Sequence, residues 1–172
     1  ITVIDSANLS TGIGLLVIEA AILAQNNKTA AEISVAVENL KPYVRASFVV
    51  DTLTYLHRGG RCSAIAAMAG GLLKLHPQII VEHGAMKPTK KYRGKMDSVI
   101  LSYVKDMEPA LKHARPDRVF ITHSGCDPTI VNAVRSYLEG LGIFHEILET
   151  RAGGVISSHC GPGTLGVLFI ES

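Results

Sequence analysis

The run Ser157-Ser158-His159-Cys160-Gly161-Pro162-Gly163-Thr164 gathers hydroxyls, an imidazole, a thiol and a Gly-Pro-Gly turn near the C-terminus. Four chemistries fit those residue types. A Cys160 nucleophile would need a base within hydrogen-bond reach and a depressed pKa, and in an extended run the adjacent His159 would face the other way. A metal could draw on His123, Cys126, His159 and Cys160, but neither "HSGC" nor "HC" has the spacing of a known ligand set. Phosphate binding would use the backbone N–H groups of a glycine-rich turn, yet the proline removes one donor and no Gly-Lys-Ser/Thr follows. "STGIG" at Ser10–Gly14 falls short of a dinucleotide fingerprint, because Val17 stands where the third glycine belongs. A carboxylate or acyl-phosphate clamp asks for the least: a cation, one or two neutral donors and an apolar cavity. Arg61, after Gly59-Gly60, offers a planar charged fork, His159 a ring N–H, and Ser157, Ser158 or Thr164 a hydroxyl. An anion clamp therefore ranks first on the residues alone, with a structural turn histidine as its rival.

Those residues must be held by a scaffold. "ITVID" reads as a strand, and an apolar helical pattern runs from Gly12 to about Gln25. Thr29 with Glu32 forms a capping box that opens a helix to Leu40, where Pro42 stops it. "RASFVVD" is a strand by its β-branched and aromatic content, and "DTLTYLHRGG" a short helix closed by a left-handed glycine at 59 or 60. Ser63 can cap "SAIAAMAGGLLKL", whose small residues allow close approach. "PQIIVEHGAMKPTKKYRG" reads as a hairpin turning at His83-Gly84, its second strand carrying Lys87, Lys90, Lys91 and Arg93 as lysine protection of a sheet edge. A helix from Lys95 to Met107 precedes the strand "RVFITH". Asp127-Pro128 starts a helix that ends near Gly140 or Gly142, followed by the strand "FHEILET" and a last strand from about Leu165 to Ile170. About six strands, mixed with helices that do not alternate regularly with them, imply an α+β fold with a mixed sheet.

Composition narrows the classes. With 172 residues, 47% hydrophobic and 19% charged, the chain has material for one compact core. A net charge of +2 speaks against nucleic acid as partner. Three cysteines without a CxxC pair argue against a disulfide framework or zinc finger and fit a reducing cytoplasm. The longest apolar run, Ala64 to Leu73, is too short for a membrane span. The chain opens on Ile1, directly in a strand-like run, so further polypeptide is expected upstream.

"VIDSANLSTGIGLLVIEAA", "RASFVVDTLTYLHRGGRCS" and "SSHCGPGTLGVLFI", in that order, resemble the C-terminal portion of the DegV family of bacterial fatty-acid-binding proteins, from Thr2 to Ile170. The resemblance implies that residues 1–172 form the C-terminal α+β domain of a two-domain protein. That protein would enclose one long-chain fatty acid, such as palmitate, and present its carboxylate to a separate fatty-acid kinase, without cofactor, metal or catalysis of its own. His159 matches the family histidine near the carboxylate, and Arg61 the arginine that supports the headgroup network. Ser158, Gly161, Gly163 and Thr164 would form the headgroup loop. The family's serine and threonine ligands belong to the N-terminal domain, which has no counterpart here, and Cys160 replaces a commoner threonine or valine. Ala46, Phe48, Ile65 and Met68 are candidates for acyl-tail contacts, since a greasy tunnel supplies about 0.8 kcal/mol per buried methylene. Lys87, Lys90, Lys91 and Arg93 could touch anionic lipid headgroups or an acidic partner. A small hydrolase or acyltransferase using His159 with Ser158 or Cys160 is the alternative.

Overall fold

The computed structural model describes residues 1–60 and 75–172. The expected helix over "SAIAAMAGGLLKL", and with it Arg61, Ile65 and Met68, lies outside the described residues.

Local signals open several elements. Helix α1 (Thr11–Gln25) follows Ser10, whose side chain makes no cap. Helix α2 (Ala30–Leu40) starts at the expected box: Thr29 Oγ1 accepts from the Glu32 N–H at 3.3 Å, and the Glu32 carboxylate accepts from the Thr29 N–H at 2.8 Å. A 3-10 turn at Lys41–Tyr43, led by Pro42, feeds strand β1 (Val44–Val49) and the short helix α3 (Thr54–Arg58). Strands β2 (Leu75–Glu82) and β3 (Ala85–Arg93) form the hairpin, with both His83 and Gly84 at positive φ in its two-residue tip. Helices α4 (Met96–Asp106) and α5 (Glu108–Leu111) lead to β4 (Ala114–His123). Asp127 caps α6 (Pro128–Leu141), accepting from the Thr129 N–H at 2.8 Å, and Gly142 ends it in the left-handed region. Strand β5 (Glu146–Arg151), helix α7 (Gly154–Cys160) and strand β6 (Leu165–Glu171) complete the chain.

The strands form one mixed sheet in the order β3-β2-β1-β6-β4-β5, antiparallel except for the β4–β5 pair. This is the α+β architecture expected from the sequence, with β3 as the lysine-bearing edge. Two expectations fail. "ITVID" joins no ladder, and Ile1 and Val3 are exposed: β-propensity without a partner strand does not make a sheet. The segment before Gly161 is helical, not extended, because Ile156 and Cys160, four residues apart, bury one face against Phe48 and Leu56.

The faces of the sheet differ. On one, Val49, Ile121, Val167 and Phe169 pack under α4, α5 and α6. There the buried Tyr103 hydroxyl donates to the Ser47 carbonyl at 2.8 Å, accepts from the Val167 N–H at 3.0 Å, and lies 2.8 Å from Ser47 Oγ. On the other face, α1 and α2 cover Val44, Ala46, Leu168 and Ile170, and α3 and α7 cover Phe48 and Val50. Among the described residues no helix is long and apolar enough to cross a membrane.

Candidate functional site

One rim of the sheet collects the C-terminal ends of β1, β4 and β5 and the start of β6, since Val49 and His123 both pair with Leu165, and His123 with Arg151. The carboxyl ends of strands in α/β proteins are common ligand sites. Around this rim stand α3, α7 and the first turn of α1.

His159 is half-buried on the last turn of α7, and its ring comes up against Gly59 with Nδ1 foremost. A Cβ at Gly59 would come within 2.1 Å of His159 Nδ1. Gly59 itself has φ −73, so closeness to the imidazole, not backbone conformation, demands a glycine there. The neighbouring Gly60 has φ +65 and supplies the left-handed turn. The double glycine thus answers two separate requirements. Gly161 answers both at once: its φ is +80, and a Cβ would meet the Tyr55 ring at 2.3 Å.

The expected headgroup loop is assembled, but its hydroxyls are committed. Ser158 is exposed and donates to the Val155 carbonyl at 2.9 Å. Thr164 is buried and donates to the Cys160 carbonyl at 2.9 Å, tying the end of α7 to the start of β6. Gly163 and Thr164 are zipped to β4 through Gly163 N–H to Ser124 O and Ser124 N–H to Thr164 O, each 2.8 Å. Cys160 is buried, and desolvation pushes its thiol up to about 11; Cys126 is pushed to the same value for the same reason. Neither is a thiolate at neutral pH. His123 is occupied on both ring nitrogens, accepting from the Cys126 N–H at 3.1 Å on Nδ1 and facing Glu149 at 3.3 Å on Nε2. Among the described residues no cluster of His, Cys, Asp or Glu is arranged to hold a metal.

Phe48 sits directly beneath this assembly, packed with Leu56, Ile79 and Cys160. Ala46 points to the same face two residues earlier, among Leu15, Leu16 and Leu168. It also lines a cleft of about 740 Å³ whose other walls include Ser47, Met107 and Phe169 from the opposite face of the sheet. The basic strand is partly spent. Lys87 is paired with Glu82 and Lys90 with Asp106, each at 2.5 Å, and Lys90 also lies over the Tyr92 ring. Lys91 and Arg93 remain exposed on the edge, without an ion pair among the described residues.

Two features escaped the sequence. One is Tyr55, because nothing local announces that its ring meets Gly161. A chain of hydroxyls runs from Thr11 through Thr122 to Thr150, at 2.6 and 2.9 Å, joining α1, β4 and β5 at the rim. These residues lie so far apart in sequence that no local pattern announces them.

A family profile described as an uncharacterised protein of the DegV family matches residues 1–172. A DegV domain-containing protein from Caldanaerobacter subterraneus is 32% identical over 99% of this chain, which spans 60% of that relative's length. A solved structure described as fatty-acid binding of a DegV family protein from Thermus thermophilus is 29% identical. It superposes with a TM-score of 0.88, covering 99% of this chain and 61% of that one. The Streptococcus pneumoniae fatty acid kinase B3 protein, solved loaded with linoleic acid, shares the fold with a TM-score of 0.85 at 17% identity, covering 99% and 60% of the two chains.

Proposed function

Because the chain belongs to the DegV family, we propose that it is the part of a non-catalytic lipid-binding protein that holds one long-chain fatty acid, such as palmitate, with its carboxylate at His159. The observation that carries this reading is the juxtaposition at the rim: an imidazole with partial solvent access is next to Cys160, which packs in one apolar cluster with Phe48 and Leu56. The Thermus thermophilus relative's fatty-acid binding supports it.

In this reading His159 donates a ring N–H to the carboxylate and Arg61 adds a charge-assisted bond. The backbone of Gly161 and Gly163 shapes the loop, while Ser158 and Thr164 hold it through their bonds to the Val155 and Cys160 carbonyls. The tail follows the face of β1 past Phe48 to Ala46, with Ile65 and Met68 as further tail contacts. Most affinity comes from the tail, at about 0.8 kcal/mol per buried methylene. The carboxylate stays near solvent at the rim, where a separate fatty-acid kinase can reach it. The second, N-terminal domain of the family would supply the remaining carboxylate ligands. Such a protein works in the cytoplasm without cofactor, metal or nucleic acid, and Lys91 and Arg93 provide what is left of a basic patch for a transient membrane-surface contact.

The hydrolase alternative draws no support from the geometry. The Ser158 hydroxyl is turned back onto its own helix, and the Cys160 thiol is buried and protonated. Denaturing extraction of the purified full-length protein, followed by mass spectrometry, tests the proposal. A long-chain fatty acid in stoichiometric amount is expected; an empty protein that also fails to take up added palmitate would refute it.

A further inference from the structure

The two glycine-bearing motifs make reciprocal contacts. The His159 ring of α7 lies on Gly59, just past α3, while the Tyr55 ring of α3 lies on Gly161, just past α7. Each aromatic uses the missing side chain of the other motif. Between the two rings, Leu56 and Cys160 are buried in one cluster with Phe48. Neither helix is long enough to be stable alone: α3 has five residues and α7 seven. Their packing on Phe48 holds them to the sheet, and the reciprocal ring contacts hold them to each other.

We infer that Tyr55 is a positioning residue for His159. Its ring fixes Gly161, which terminates α7 two residues after His159, and so sets where the His159 ring nitrogens point. Tyr55 touches the loop's backbone through the face of its ring, so a phenyl ring should serve as well as a phenol. The clasp also joins the loop to Gly59-Gly60 at the end of α3. The ligand side of this inference rests on the fatty-acid reading above; the geometric side does not.

The test uses the full-length protein, with palmitate as probe and the His159 ring resonances assigned by NMR. Tyr55→Ala should weaken palmitate binding about tenfold, the scale expected when a binding group is misaligned, and should shift the His159 ring signals. Tyr55→Phe should restore both. Tyr55→Leu, which keeps apolar bulk without a flat ring, should behave like Tyr55→Ala and serves if that variant folds poorly. Val134→Ala on α6, across the sheet, controls for lost stability and should leave the His159 signals in place. The inference is overturned if Tyr55→Ala and Tyr55→Leu leave the His159 signals unmoved, or weaken palmitate no more than Val134→Ala at an equal fall in melting temperature. If the wild-type protein takes up no palmitate, the fatty-acid reading fails, and the His159 signals alone decide whether Tyr55 positions the ring.

Discussion

The two faces of the sheet solve different problems with the same strands. Under α4 and α6 the core is large, and the buried Tyr103 hydroxyl there is fully used between β1 and β6. Under α3 and α7 the core is small, the helices are about one or two turns long, and close contacts fall on glycine backbone instead of on interlocked side chains. The first arrangement gives stability that tolerates little change. The second gives a rim whose shape depends on two rings and two glycines, with His159 partly open to solvent. Under the fatty-acid reading, stability and recognition fall on opposite sides of β1: Val49 faces the first, Phe48 the second.

This contrast can be broken in several places. Tyr103→Ala should produce the largest loss, about 3–5 kcal/mol of folding free energy from cavity formation and stranded hydrogen-bonding groups. Urea unfolding measures it, and at temperatures where the variant remains folded its palmitate affinity should match wild type. Gly161→Ala comes next. It forces an L side chain into φ +80 and against the Tyr55 ring, costing about 1–3 kcal/mol in backbone strain alone, and here palmitate retention should fall along with stability. If Gly161→Ala loses stability but retains ligand as well as wild type does, the rim is not where recognition occurs. Thr122→Val interrupts the hydroxyl chain between Thr11 and Thr150 and should cost about 1 kcal/mol, read from the same unfolding curves.

The smallest effect belongs to the edge strand. The hydrogen bond from Lys90, with that from Tyr92, holds the Asp106 carboxyl below its ordinary value. A depressed carboxylate stabilises the fold above its unfolded pKa, and that contribution disappears as pH falls through the lower folded value. Lys90→Ala should therefore cost less than about 1 kcal/mol at neutral pH, because the pair is exposed. The difference from wild type should vanish in acid below the ordinary 3.8 of aspartate. Melting temperatures of both proteins across that range provide the check.

Legibility in the sequence followed the range of the interaction. The Thr29–Glu32 box, the Asp127-Pro128 start and the His83-Gly84 hairpin tip were readable because each signal and its partner lie within a few residues. The glycine signals at 59–60 and 161 were visible as turns. Their second role, making room for rings from the other motif, was not, because it is a property of two segments at once. The α7 helix was misread for a related reason: Gly153, Gly154 and the serines have low helix propensity, and only packing of Ile156 and Cys160 on Phe48 makes the segment helical. "ITVID" erred in the opposite direction, since strand composition was present without a strand to pair with. Within the candidate site, His159 and the Gly-Pro-Gly loop could be named from residue types alone. Tyr55 and the threonine chain required the fold.

The central claim is that a fatty-acid carboxylate sits at His159. Carbon-13 NMR of the full-length protein with carboxyl-labelled palmitate tests it most directly, comparing wild type with His159→Ala. The account predicts a single bound carboxyl resonance that moves in the variant, while a label at the terminal methyl stays where it was. A bound carboxyl resonance unchanged by His159→Ala, or no bound resonance in the wild-type protein, would contradict it.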